Sequence, residues 1–102
     1  MHLTLRNDFG CLEAVIDRNC GFDKFYGIAG LLTEKLRLQF INKIDDLDTS
    51  YWDFIYKGQK LTLHYNIYDG VSILPVRHKN AIAKDNEAIK ELAGVLSQIR
   101  SS

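Results

Sequence analysis

Between Tyr51 and Pro75 three runs rich in aromatic and β-branched residues are punctuated by Gly58 and by Asp69–Gly70. Runs of this kind bounded by glycine turns read as a β-meander, and no other stretch restricts the fold as strongly. Side chains alternate along a strand. Trp52, Phe54 and Tyr56 therefore share one face of the first run, and Tyr51, Asp53, Ile55 and Lys57 share the other. In the second run Leu61, Leu63, Tyr65 and Ile67 form the apolar set, opposed by Thr62, His64, Asn66 and Tyr68.

Both apolar sets must meet one core, so the first loop has an even length. A Gly58–Gln59 loop places Lys57 opposite Lys60, Phe54 opposite Leu63 and Trp52 opposite Tyr65, with Asp53 near His64 on the other face. The second turn suits three residues, Tyr68–Asp69–Gly70, with Gly70 left-handed. That choice pairs Ile67 with Val71 and Tyr65 with Ile73, and sets Leu74 beside His64.

The flanking chain supplies the other elements. His2–Arg6 alternates as a strand, Asn7–Gly10 reads as a turn, and Cys11–Asp17 reads as the returning strand, with a short helix as the alternative. From Phe22 the apolar spacing becomes helical, through Phe25, Ala29, Leu32 and Leu36. Gly27 and Gly30 lie inside that helix, where close packing on a sheet would explain them; they are not a phosphate-cradling loop. Leu36–Asp45 alternates again, with Leu38, Phe40 and Ile44 opposing Arg37, Gln39 and Lys43. Asp45–Ser50 reads as an acidic loop, and Val76–Lys84 as a longer connection carrying Arg77, His78, Lys79 and Lys84. Asp85 is placed to cap a last helix whose stripe is Ile89, Leu92, Leu96 and Ile99, with Lys90, Glu91, Gln98 and Arg100 in water. The order β-β-α-β-β-β-β-α predicts one α+β domain over residues 1–102. It would be a two-layer sandwich, a mostly antiparallel sheet with two helices on one face.

Composition narrows the function. The 102 residues are 46% hydrophobic and 25% charged, as in a folded globular chain. Thirteen basic and 13 acidic side chains cancel, which argues against a nucleic-acid partner. No apolar run approaches the ~20 residues of a membrane helix, and MHLTLRNDF lacks the pattern of a signal peptide. Two cysteines, Cys11 and Cys20, suit free thiols in a cytoplasmic protein.

Each chemical motif has a plain structural explanation. Asp45, Asp46 and Asp48, with Asp53 downstream, lack the spacing of an EF-hand; they suit a solvated loop or a contact for a basic partner. His64 with Asp53 resembles an acid–base pair but has no nucleophile beside it. His2 and His78 share no zinc-like spacing with His64. The basic run Arg77, His78 and Lys79 is short enough to be a solvated loop. Tyr51 and Tyr68, beside His64 and Asn66, are aromatics among polar groups, as on a binding surface. No catalytic residue, cofactor or metal is expected.

The tract LDTSYWDFIYKGQKLTLHYNIYDGVSILP, roughly Leu47–Pro75, resembles the central hairpins of small bacterial immunity proteins from toxin–immunity systems, including contact-dependent inhibition. Those proteins share an aspartate-led aromatic strand, a tight glycine turn, an LTLH-like strand and a Gly–hydrophobic–Pro exit. The resemblance implies a cytosolic inhibitor that binds a cognate protein toxin, usually a nuclease. The contact residues would be Asp45, Asp46, Asp48, Tyr51, Asp53, His64, Asn66 and Tyr68, with the acidic cluster facing a basic nuclease site. Two other classes compete with it. One is a regulatory or adaptor domain that dimerises through a sheet edge. The other is an enzyme or ligand binder that uses a pocket around His64. The sequence leaves monomer and homodimer open.

Overall fold

The computed structural model describes residues 3–8, 11–77 and 80–99. His2, Phe9, Gly10, His78, Lys79 and Arg100 lie outside the described residues, so the expectations that involve them stop there. The elements follow the expected order: β1 (Thr4–Asp8), β2 (Cys11–Asp17), α1 (Phe22–Glu34), β3 (Phe40–Asp45), β4 (Thr49–Tyr56), β5 (Gln59–Asn66), β6 (Gly70–Pro75) and α2 (Ala83–Gln98). The strands form one sheet, β1-β2-β6-β5-β4-β3, in which every pairing is antiparallel.

Alternation decides which face the helices cover. Phe54, Leu61, Leu63, Tyr65, Val71 and Ile73 join a single core with Phe25, Ile28, Leu32, Ile89, Leu92 and Leu96 from the two helices. At roughly 1.5–3 kcal/mol for each large apolar side chain removed from water, this cluster is the main stabilising feature. Among the described residues no helix lies over the opposite face of the sheet. Trp52 and Leu63 face each other on the covered side, as the alternation of apolar residues requires.

Both meander registers differ from expectation by two residues. Phe54 pairs with Leu61, Trp52 with Leu63 and Tyr51 with His64, so Asp53 lies opposite Thr62. The two-residue turn is Lys57–Gly58, and both residues have positive φ, 53° and 81°. That is the backbone of a type I′ turn, which matches the twist of the strands and favours glycine second. In the second hairpin Tyr65 pairs with Val71, His64 with Ser72 and Thr62 with Leu74. The three loop residues are Ile67, Tyr68 and Asp69, while Gly70, left-handed at φ 75°, opposes Asn66. Asn66 drives this choice. Its Oδ1 accepts the Tyr68 and Asp69 amides at 2.9 and 2.6 Å, a side-chain mimic of a backbone turn. A shift of two preserves every face, so apolar alternation did not forbid it.

The chain departs from expectation at five smaller points. Asn7 and Asp8 belong to β1 rather than to a turn. After α1, Arg37 is left-handed (φ 58°) and the Leu38 amide bonds the Leu32 carbonyl at 3.0 Å, so β3 begins only at Phe40. Ile41 is then an extra residue on β3, and this bulge puts Lys43 rather than Ile44 on the side of Phe40 and Trp52. A Cβ at Gly27 or Gly30 would meet nothing within 4 Å, so these glycines do not mark close packing. Asp85 does cap α2 through its carboxylate, but from the third residue of the helix, with Ile82 at the N-cap; it is fully buried, and its Oδ2 accepts the Ile82 amide at 3.0 Å and Arg77 Nε at 2.8 Å.

Candidate docking surface

Strand direction gathers the site. The β3–β4 and β5–β6 turns leave the sheet at the same end, and the Ile67 amide bonds the Asp48 carbonyl at 3.2 Å, tying one turn to the other. The Asp46 amide closes its own turn on the Thr49 carbonyl at 2.7 Å. Three apolar side chains stand in water here: Leu47 is 97% exposed, Tyr68 81% and Ile67 50%. The carboxylates of Asp46, Asp48 and Asp69 surround them, and no Lys or Arg occurs from Ile44 to Tyr56 or from Leu61 to Val76. Next along the uncovered face comes a row formed by Ile44, Tyr51 and His64. Tyr51 stacks on His64 with centroids 4.5 Å apart and planes at 20°.

The expected contact residues divide into three groups. Asp46, Asp48 and Tyr68 meet at this end, and Tyr51 and His64 form the adjoining row. Tyr68 projects from the turn and is not part of the strand face. Asn66 builds the turn, accepting two amides and donating Nδ2 to Asp69 Oδ2 at 3.1 Å. Asp45 is on the helix side of the sheet, where Ser50 Oγ and Trp52 Nε1 each donate to its Oδ1 at 2.8 Å. The Trp52 bond, then the Ser50 bond, hold its carboxyl below the usual range, and Lys43's charge adds to this. Its role is to clasp β3 to β4. Asp53 is half-buried opposite Thr62 and accepts Asn42 Nδ2 at 3.4 Å. The register thus puts Tyr51, not Asp53, directly across from His64, so the expected His64–Asp53 pair is not aligned across the strands.

Leu47, Ile67 and Asp69 were missed. Leu47 had a visible signal, since an aliphatic residue between two aspartates in a turn has no core to enter. Ile67 gave a misleading one, because it continues the alternation of β5.

Beside this surface a hollow of about 90 Å³ opens between Arg18, Tyr68, Asp69 and Ser72. Its floor is filled by charge, since Arg6 pairs with Glu13 and Ser72 Oγ donates to Glu13 Oε2 at 2.7 Å. Among the described residues no group of three His, Cys, Asp or Glu side chains could hold a metal ion. Cys11 and Cys20 are not joined in a disulfide; burial, then the charge of Asp17, pushes the Cys20 thiol up. No helix among the described residues is long and apolar enough to cross a membrane.

The fold and this surface define a small two-layer α+β domain with one sheet face left open. A family described as "Protein of unknown function (DUF3630)" matches residues 3–96, and the chain belongs to that family. No curated protein and no solved structure matches it.

Proposed function

We propose that the chain is a non-catalytic protein-binding module of the toxin-neutralising kind, which docks the acidic end of its sheet on a basic site of a cognate toxin domain. One observation carries this reading: Leu47, almost wholly exposed, stands between Asp46 and Asp48 on a turn bonded to the turn that presents Tyr68 and Asp69. An apolar anchor ringed by charge is the usual anatomy of an interface centre and rim. Asp46 and Asp48, on a turn that carries no lysine or arginine, would speed encounter with a basic partner. A nuclease toxin suits this surface, because the site that grips a phosphate backbone is positively charged. The likeness of Leu47–Pro75 to immunity proteins points the same way, and such an inhibitor would act in the cytoplasm.

The test is co-expression with a toxin domain encoded by the neighbouring gene. The chain should restore growth and co-purify with the toxin. Asp46→Lys with Asp48→Lys should slow association and flatten its salt dependence, with Asp45 left intact because it clasps Trp52. Unchanged affinity and salt dependence in that double variant would overturn the electrostatic docking.

A further inference from the structure

Trp52 meets the core through the buried Phe25 of α1, edge-on at 4.9 Å and 80°. It is half-buried beside the edge strand β3, so the helix layer does not enclose it. Phe40 packs against it edge-on at 5.3 Å and 72°, and Tyr26 of α1 lies 5.8 Å away, itself 54% exposed. The bulge at Ile41 turns Lys43 onto this side, where its Nζ lies 4.3 Å from the Trp52 ring centroid and 5.8 Å from that of Phe40. Asp45, two residues on, accepts the indole N–H at 2.8 Å. A ring face attracts cations through its quadrupole, most strongly for indole. A carboxylate bonded to the indole N–H adds negative charge beside that ring. The Trp52 face, with Phe40 beside it and the Asp45 carboxylate at its N–H, therefore already holds an ammonium group, and that group belongs to an exposed lysine.

We propose that Trp52, Phe40 and Asp45 form a receptor for one cationic side chain, arginine or lysine, of a protein partner, and that Lys43 is its internal stand-in. The identity of the partner as a basic protein rests on the function proposed above; the cation site does not. Exchange replaces one cation–π contact by another. The free chain therefore keeps its aromatics covered, and a partner gains only where its own cation is better positioned. Guanidinium is favoured over ammonium, because its plane stacks on indole and it is more weakly hydrated.

Trp52 is the single tryptophan of the chain, so its fluorescence reports on this site alone. Purified protein is titrated with acetyl-Gly-Arg-Gly-amide at constant ionic strength, with acetyl-Gly-Gly-Gly-amide as the neutral control. Lys43→Ala should give a saturable change in emission, with half-saturation about two- to fivefold below that of the unaltered chain. The neutral peptide should give none, and Phe40→Leu in the Lys43→Ala background should weaken the response. A Lys43→Ala protein without a saturable response to the arginine peptide would overturn the receptor. Equal half-saturation with and without Lys43 would overturn its role as stand-in. The titration contains no toxin, so its failure leaves docking at the acidic end standing. Conversely, normal toxin binding by the Asp46→Lys, Asp48→Lys variant would not touch the cation site.

Discussion

The two faces of the sheet bury side chains by different means. On the covered face Phe54, Leu61, Leu63, Val71 and Ile73 are shut from water by a second layer, the two helices. On the uncovered face Val15, Thr62 and Ser72 are also buried, although no helix among the described residues lies over them. Their cover comes from cross-strand neighbours such as Asp53 and Leu74 on either side of Thr62. The first kind of burial requires apolar residues in close packing. The second tolerates hydroxyl groups and leaves Tyr51, Ile55 and Ile44 partly in water, where a partner could reach them. Burial alone therefore does not separate a core from a docking face; the layer that causes it does.

Truncating a side chain on each face tests that distinction most severely. Leu63→Ala should lose about 2–5 kcal/mol in urea denaturation, through lost transfer energy and a cavity that close packing cannot refill. Ile55→Ala, from the strand beside it but on the other face, should stay within about 0.5 kcal/mol. Similar losses at both sites would show that the second face is covered after all.

The two positive-φ glycines lie at opposite ends of the sheet and differ in what surrounds them. A Cβ on Gly70 would lie 1.9 Å from the Asp17 carbonyl oxygen, where β2 bulges toward β6, whereas one on Gly58 meets nothing within 4 Å. Gly70→Ala should cost about 3 kcal/mol, a left-handed residue's strain plus a backbone displacement. Gly58→Ala should cost about 1 kcal/mol, the strain alone. Thermal unfolding of the pair measures the difference.

Asp85 ties the covered face to the connection that precedes α2. Burial pushes its carboxyl up, but bonds from Arg77 and from the Ile82 amide outweigh burial and hold it below the usual value. The unfolded chain then binds the proton more readily than the folded one. This stabilisation is complete above about pH 4 and is lost as pH falls through the lower, folded value. Asp85→Asn should lower stability at pH 7 by about 1–3 kcal/mol, the penalty for weakening a buried charge-assisted pair. It should also remove part of the acid-limb slope in denaturation followed from pH 7 to pH 2.

The smallest effect belongs to Thr62. Its Oγ1 is buried and finds no partner among the described residues. Thr62→Val keeps the shape and removes that desolvated hydroxyl, so stability should rise by up to about 1 kcal/mol. A clear loss instead would mean that the hydroxyl is hydrogen-bonded in solution.

Much of the architecture was legible in the sequence. The α1 spacing from Phe22 and the stripe Ile89, Leu92 and Leu96 declare themselves by period, because burial on one side imposes it, whereas Cys11–Asp17 also admitted a short helix and is a strand. The acidic end was half legible. Asp46 and Asp48 stand out as charges, but Asp45 looks identical to them and turns out to be a clasp for Trp52 and Ser50. Only the bulge at Ile41 and the pairing of Asp45 with Ser50 distinguish it. Lys43 read as a wet strand residue for the same reason, since one inserted residue exchanges the faces of everything after it.

The order of elements, the two hairpins with even and odd loops, and the allocation of β4, β5 and β6 residues to a wet and a dry face follow from local chemistry: apolar alternation, and glycine where φ must be positive. The register within each hairpin, the meeting of two distant turns around Leu47 and Tyr68, and the cation held over Trp52 were decided by tertiary structure. The physical reason is that alternation repeats every two residues and is indifferent to a slip of two. Turn hydrogen bonds at Asn66 and left-handed backbone at Lys57 and Gly58 select among registers that the pattern of apolar residues leaves nearly equal.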